Sequence, residues 1–309
     1  MRYLDMPSLL SCRLVSTEWR DTSTSRAVVE GNTALVSGRM WMRYPEECLL
    51  TYARLFGRAL TRLELDSGGG SSSWGLSCAQ LAFVLHDACP NVTELYLRQC
   101  GYIESDELTV LAQMGRLTKF EIKDITIDCD EPDEFLNVVR CNPGLVDLGI
   151  DTEFFYNAPL VAEVLEAAPQ LESLFVNLLP SCDDTLALAA HPSLRTLDFG
   201  CVDLKNHHLD EIELLSDTVE EIDFAYSLGG IEPRRFLEFV QAMPKLRVAS
   251  FLGIDEEEYA LGWSEYHPDW IAAQSIINQR IPSDKRILRW GGVVDKSGGP
   301  APAYNLVFA

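Results

Sequence analysis

A chain of 309 residues with 47% hydrophobic content is long enough to bury a large core, and its formal net charge of -22 excludes roles that rest on holding nucleic-acid phosphates or anionic membranes. No stretch is long and apolar enough to cross a bilayer, the N-terminus lacks a charged-then-apolar leader, and the nine cysteines stand singly with no CxxC pair. These features predict a soluble protein of a reducing compartment, cytoplasm or nucleus, with no disulfide framework, metal or cofactor; the excess acid serves solubility first and also suits a basic protein partner.

The first residues carry Leu9, Cys12, Val15 and Trp19 at the spacing of one apolar helical stripe. An atypical first unit follows at Asn32 to Arg39 with a helical stretch from Pro45 to Phe56, its Leu35 standing 25 residues before Leu60. From Leu60 onward a frame of apolar residues at positions one, four and six recurs eight times: LTRLEL from Leu60, VTELYL from Val92, LTKFEI from Leu117, LVDLGI from Leu145, LESLFV from Leu171, LRTLDF from Leu194, VEEIDF from Val219 and LRVASF from Leu246. The intervals are 32, 25, 28, 26, 23, 25 and 27 residues, all but the first within the roughly 20 to 29 of a leucine-rich unit.

Alternation within the frame is the period of a short strand with one buried face, so Leu95 and Leu97 point inward while Glu94, Tyr96 and Arg98 point out. Helical patterns follow the strands at Ser105 to Met114, Pro132 to Cys141, Ala158 to Ala168, Asp183 to Ala190, Asn206 to Leu215 and Glu232 to Met243. Five units then place a proline two residues before the next frame, at Pro90, Pro143, Pro169, Pro192 and Pro244, where it stops the helix. The longest interval holds Ser67 to Gly75, a glycine- and serine-rich surface loop. At the far end Pro268 to Ile281 reads as a helix, Arg286 to Val294 as a last strand, and 295–309 as a loose tail. The predicted fold is therefore α/β, a leucine-rich-repeat solenoid over 29–294 with capped ends: a curved horseshoe, strands parallel on the concave side and helices outside.

Residues 1–28 stand outside the repeat. Val15, Trp19 and Arg20 spell a Val-x-x-x-Trp-Arg signature after Tyr3, Leu4 and Asp5, immediately ahead of repeats with the proline-then-strand junction seen in CPNVTELYLRQC. In this the chain resembles the F-box/leucine-rich-repeat family, and the segment looks like the C-terminal half of an F-box. The resemblance implies that the family's opening Leu-Pro pair and adaptor-docking helix either precede Met1 in the full protein or have been lost. It also implies that Leu4, Leu9, Leu10, Val15, Trp19 and Arg20 face a Skp-type adaptor, and that the protein is the substrate-recognition subunit of a Skp-cullin-F-box ubiquitin ligase, within a cullin-RING assembly. Such a subunit makes and breaks no bonds; it supplies proximity and orientation. Without the missing segment, the chain reads as a leucine-rich interaction scaffold with no ligase link.

No enzyme motif competes with a binding role. There is no Gly-rich phosphate loop, no GxSxG and no HExxH, and adjacent His207 and His208 diverge on a helix. The partner surface is expected on the outward strand positions: Arg62, Glu64, Tyr96, Arg98, Lys119, Glu121, Lys123, Phe175, Asn177, Asp198 and Asp223. Tyr96 and Phe175 are the expected aromatic anchors, although a neighbouring side chain covering Phe175 is an equal alternative. An acidic rim at Asp255, Glu256, Glu257 and Glu258 is expected to steer a Lys- or Arg-rich target.

Overall fold

The computed structural model describes residues 33–36, 50–51, 53–55, 57–66, 77–128, 132–151, 160–176, 191–199, 206–224, 231–252, 267–280, 288–289 and 305–308. The F-box-like segment, the loop at 67–75, the expected helix at 183–190, Asn177 and the acidic rim at 255–258 lie outside the described residues. The chain divides into two compact units, Met1–Phe154 and Phe155–Ala309.

In the first unit β1 (Thr33–Val36), β2 (Arg62–Asp66), β3 (Glu94–Glu104), β4 (Lys119–Asp128) and β5 (Asp147–Asp151) pair in chain order and all in parallel. Parallel neighbours need a crossover, and helices supply it: α1 (Cys78–Ala82) continuing as a π-helical turn (Phe83–Ala88), α2 (Ser105–Ala112) and α3 (Pro132–Cys141). The second unit repeats the scheme with α4 (Leu160–Ala167), β6 (Ser173–Val176), β7 (Thr196–Asp198), α5 (Asn206–Ile212), β8 (Glu221–Asp223), α6 (Pro233–Ala242), β9 (Val248–Leu252) and α7 (Pro268–Arg280). β6 to β9 are parallel and in chain order. Strand, crossover helix, adjacent parallel strand, repeated at the period of the LxxLxL frame, is the leucine-rich-repeat fold.

The frame residues make the core. Leu60, Leu63 and Leu65, then Val92, Leu95 and Leu97, and on through Val219, Ile222 and Phe224, every described frame side chain is buried. The helices close over them with Leu108 and Leu111 from α2, Phe135 and Val139 from α3, and Phe236 and Val240 from α6. The second unit builds its core on aromatics. Phe224 meets Phe236 and Phe239 edge-on at 5.9 and 6.1 Å, and Trp270 of α7 sits 5.5 Å from Phe236, closing the last repeat.

Three expectations change. β3 and β4 run past their frames where a polar turn is expected, β3 straight into α2. Ile103, Ile125 and Ile127 continue the alternation of buried residues there, and the extra length is accommodated by a register shift between Arg98 and Gly101, with Gln99 at φ 51°. The pairing of β1 aligns Leu35 with Glu64, not with Leu60. At the C-terminus, Asn305–Phe308 (β11), inside the expected loose tail, pairs antiparallel with β9 and with Leu288–Arg289 (β10), so it fills the edge that the Arg286 to Val294 strand was expected to occupy.

Ends of helices leave carbonyls unpaired, and each unit meets that need with side chains from a turn or from the last residue of a later helix. Arg116, just before its frame, donates to the carbonyls of Leu85 (2.7 Å), Cys89 (3.3 Å), Val92 (3.1 Å) and Met114 (3.1 Å). Arg280 does the same at the end of α6, reaching Val240 (3.0 Å), Met243 (2.5 Å) and Leu246 (3.1 Å). Burial pulls the pKa of both guanidinium groups below the ordinary arginine value. Between them, fully buried Asn142 accepts from Leu117 N and donates to the Val138 carbonyl, His191 Nε2 donates to Ala168, and Lys245 donates to Asp217. A side chain from a turn or helix end thus ties one repeat to the repeat before it.

Cys89 sits in this packing as a small hydrophobe, and burial pushes its thiol up to about 12, partly offset by Arg116. Cys141 is exposed at the end of α3. Maleimide labelling of the native protein at pH 8, read by peptide mass mapping, should modify Cys141 and leave Cys89 untouched until the protein is unfolded. Equal labelling of the two would contradict the packing described here.

Candidate interaction face

Strand register sorts the outward side chains into rows that cross the strands. In the first unit one row is Arg62, Glu94, Lys119 and Asp147, the next Glu64, Tyr96, Glu121 and Gly149, and the third Asp66, Arg98, Lys123 and Asp151. The first row alternates in sign from strand to strand, the arrangement that stabilises directly opposed pairs. Across rows, Arg98 bridges two strands: its Nη1 lies 2.6 Å from Glu64 Oε1 and its Nε 2.6 Å from Glu121 Oε1, while Arg62 Nη2 lies 3.4 Å from Glu64 Oε2.

Tyr96 is inside this lattice. The Arg62 guanidinium carbon stands 4.2 Å from its ring centroid and that of Arg98 5.6 Å, its hydroxyl lies 3.5 Å from Glu94 Oε2, and the residue is 9% exposed. Burial raises its pKa, with Arg62 acting the other way. The expected anchor is therefore a platform beneath two guanidinium groups. Strand alternation tells which side a residue takes; it does not tell that long neighbours fold over it. Lys123 is exposed and Lys119 half-buried at the lattice's edge.

The second unit differs. Its rows are Ser173, Thr196, Glu221 and Val248, and Phe175, Asp198, Asp223 and Ser250. None of these outward positions carries Lys or Arg, and register sets Asp198 opposite Asp223, carboxylates on adjoining strands about 4.8 Å apart. Phe175 adjoins them, half-buried, as do both aspartates; Glu221 is exposed. One step back along each strand the charge is balanced, Glu220 lying 3.0 Å from Arg195 and 3.1 Å from Arg247.

Removing the bridge in the first unit has a calculable effect. Arg98→Ala leaves Glu64 and Glu121 flanking an empty position, and should cost about 1–2 kcal/mol, less at high salt where the remaining repulsion is screened. Urea unfolding at low and high salt reads this directly; an unchanged midpoint at both would show the lattice to be incidental.

Among the described residues no group of three or more His, Cys, Asp or Glu is placed to hold a metal ion, and no helix is long and apolar enough to cross a membrane. No family model matches the chain, and neither does any curated protein. Among solved structures it is similar to the leucine-rich repeat-containing protein LegL7 from Legionella pneumophila, at 16% identity and TM-score 0.45 over 85% of this chain and 95% of that one. It is also similar to the complex of Rad7 and Elc1 in yeast, at 16% identity and TM-score 0.37 over 79% of this chain and 88% of that one. The leucine-rich-repeat fold itself rests on the strand order, the crossover helices and the buried frame.

Proposed function

We propose that this chain is a protein-recognition scaffold that receives a partner chain on its outward strand rows, and that it acts as the substrate-recognition subunit of a Skp-cullin-F-box ubiquitin ligase. The observation that carries the recognition role is the second unit's outward surface: a half-buried phenylalanine beside two aspartates in register, on strands whose outward positions hold no cation. An aromatic beside acid suits a partner that brings apolar and basic side chains. The ligase role is supported by Val15, Trp19 and Arg20 directly ahead of the repeats. In this reading the chain contributes no bond chemistry; it holds a protein target near a transferring enzyme.

The test is co-purification of the full-length protein with a Skp-type adaptor, comparing wild type with Trp19→Ala. Stoichiometric adaptor that falls at least tenfold in the variant supports the ligase role. A wild-type protein that retains other partners yet binds no adaptor leaves the scaffold alone standing, with no ligase link.

A further inference from the structure

We propose that a groove beside α4, on the helix side of the strands, binds an arginine side chain presented by a protein partner, a site separate from the outward strand rows. The groove has a volume of about 400 Å³. Its apolar lining comes from Leu165 and Ala162 of α4 with Pro169 and Pro192 from the turns before β6 and β7. Glu163 and Glu166, both exposed and three residues apart on one helix face, line it as well.

His191 completes the lining and sets the chemistry. It is 5% exposed, and its Nε2 lies 3.0 Å from the Ala168 carbonyl, which can only accept, so Nε2 carries the proton. The other ring nitrogen, Nδ1, is buried with no hydrogen-bond partner. A buried polar atom without a partner is costly and calls for one. Among the described residues, the polar side chains that line the groove are two glutamates and His191, and they are not arranged to share a metal ion.

A ligand matched to this lining brings several N–H donors, a positive charge and an apolar stem. Guanidinium fits best: its planar fork of five donors engages more than one acceptor, it is less strongly hydrated than an ammonium, and its methylene stem can lie along Leu165, Pro169 and Pro192. The volume exceeds one arginine side chain and leaves room for the backbone that carries it.

The full chain, labelled at leucine methyls and histidine ring nitrogens, is titrated with N-acetylarginine amide and, separately, with N-acetylcitrulline amide, which has the same shape without the charge. The expected result is saturable movement of the Leu165 methyl and His191 Nδ1 resonances with the arginine probe and none with citrulline. Glu163→Gln combined with Glu166→Gln should weaken the arginine probe roughly five- to tenfold, as expected for two exposed charge pairs. Both glutamates are exposed, so the core is untouched, and the citrulline arm decides the matter even if the variant folds poorly. Equal shifts with citrulline, indifference of a folded double variant, or no shift up to about 50 mM probe, well above the millimolar affinity expected for a ligand of this size, would each overturn the proposal. None of these outcomes bears on the strand rows, whose test uses different residues.

Discussion

Phe224→Ala should lower the free energy of unfolding by about 3–5 kcal/mol, the range for truncating a buried aromatic. The side chain is fully buried, stands 6.4 Å from Phe199 of the preceding repeat, and touches Phe236 and Phe239 of the helix that covers its own frame. The cavity would open where two repeats meet, and a repeat is stable only through its neighbours. Trp270 packs on Phe236 and is one of six tryptophans, so the chain's tryptophan fluorescence gives the readout: unfolding should come at a much lower urea concentration than in wild type. A variant within about 1 kcal/mol of wild type would mean that the second unit does not rest on this aromatic stack.

Arg116→Met should cost about 2–4 kcal/mol, although methionine keeps much of the packing. The loss comes from the carbonyls of Leu85, Cys89, Val92 and Met114, which exchange a charged multidentate donor for a thioether. Arg116→Lys should recover only part, because one ammonium cannot reach carbonyls spread around a planar fork. Thermal unfolding of the three proteins tests this. Lysine equal to arginine would assign the effect to charge alone, and methionine equal to arginine would show that water replaces the donor without loss.

Both effects lie where the sequence is most and least readable. The aromatic stack is legible: Phe199 and Phe224 hold the sixth position of their frames, and the frame period aligns them. The helices were legible too, since α3 begins at Pro132 and ends at Cys141 as its pattern predicts. The crossover before β3 is not among the helical patterns of the sequence, yet Ser77 and Gln80 spell the capping box that starts α1. Arg116 reads as another surface cation; that it reaches 31 residues back to Leu85 depends on how repeats stack, which no local pattern encodes.

The outward rows were half legible. Alternation placed Glu64, Glu121, Arg98 and Lys123 on one side, and only the register revealed that Arg98 is held between two glutamates. It likewise moved Tyr96 from open anchor to covered platform and set Asp198 against Asp223. For the groove beside α4 the signal was weaker still, since a histidine before a proline does not announce an unpaired nitrogen. Its partner carbonyl, Ala168, lies a whole repeat away.

The most direct measurement of the recognition role is site-specific photo-crosslinking in cells, with a photoreactive phenylalanine in place of Phe175 and, as the contrast, in place of Ile271, which is 50% exposed on α7. The account predicts that position 175 traps the protein that co-purifies with wild type, that position 271 does not, and that Asp198→Lys with Asp223→Lys abolishes the adduct. Trapping from position 271 alone, with the charge reversal harmless to co-purification, would contradict it.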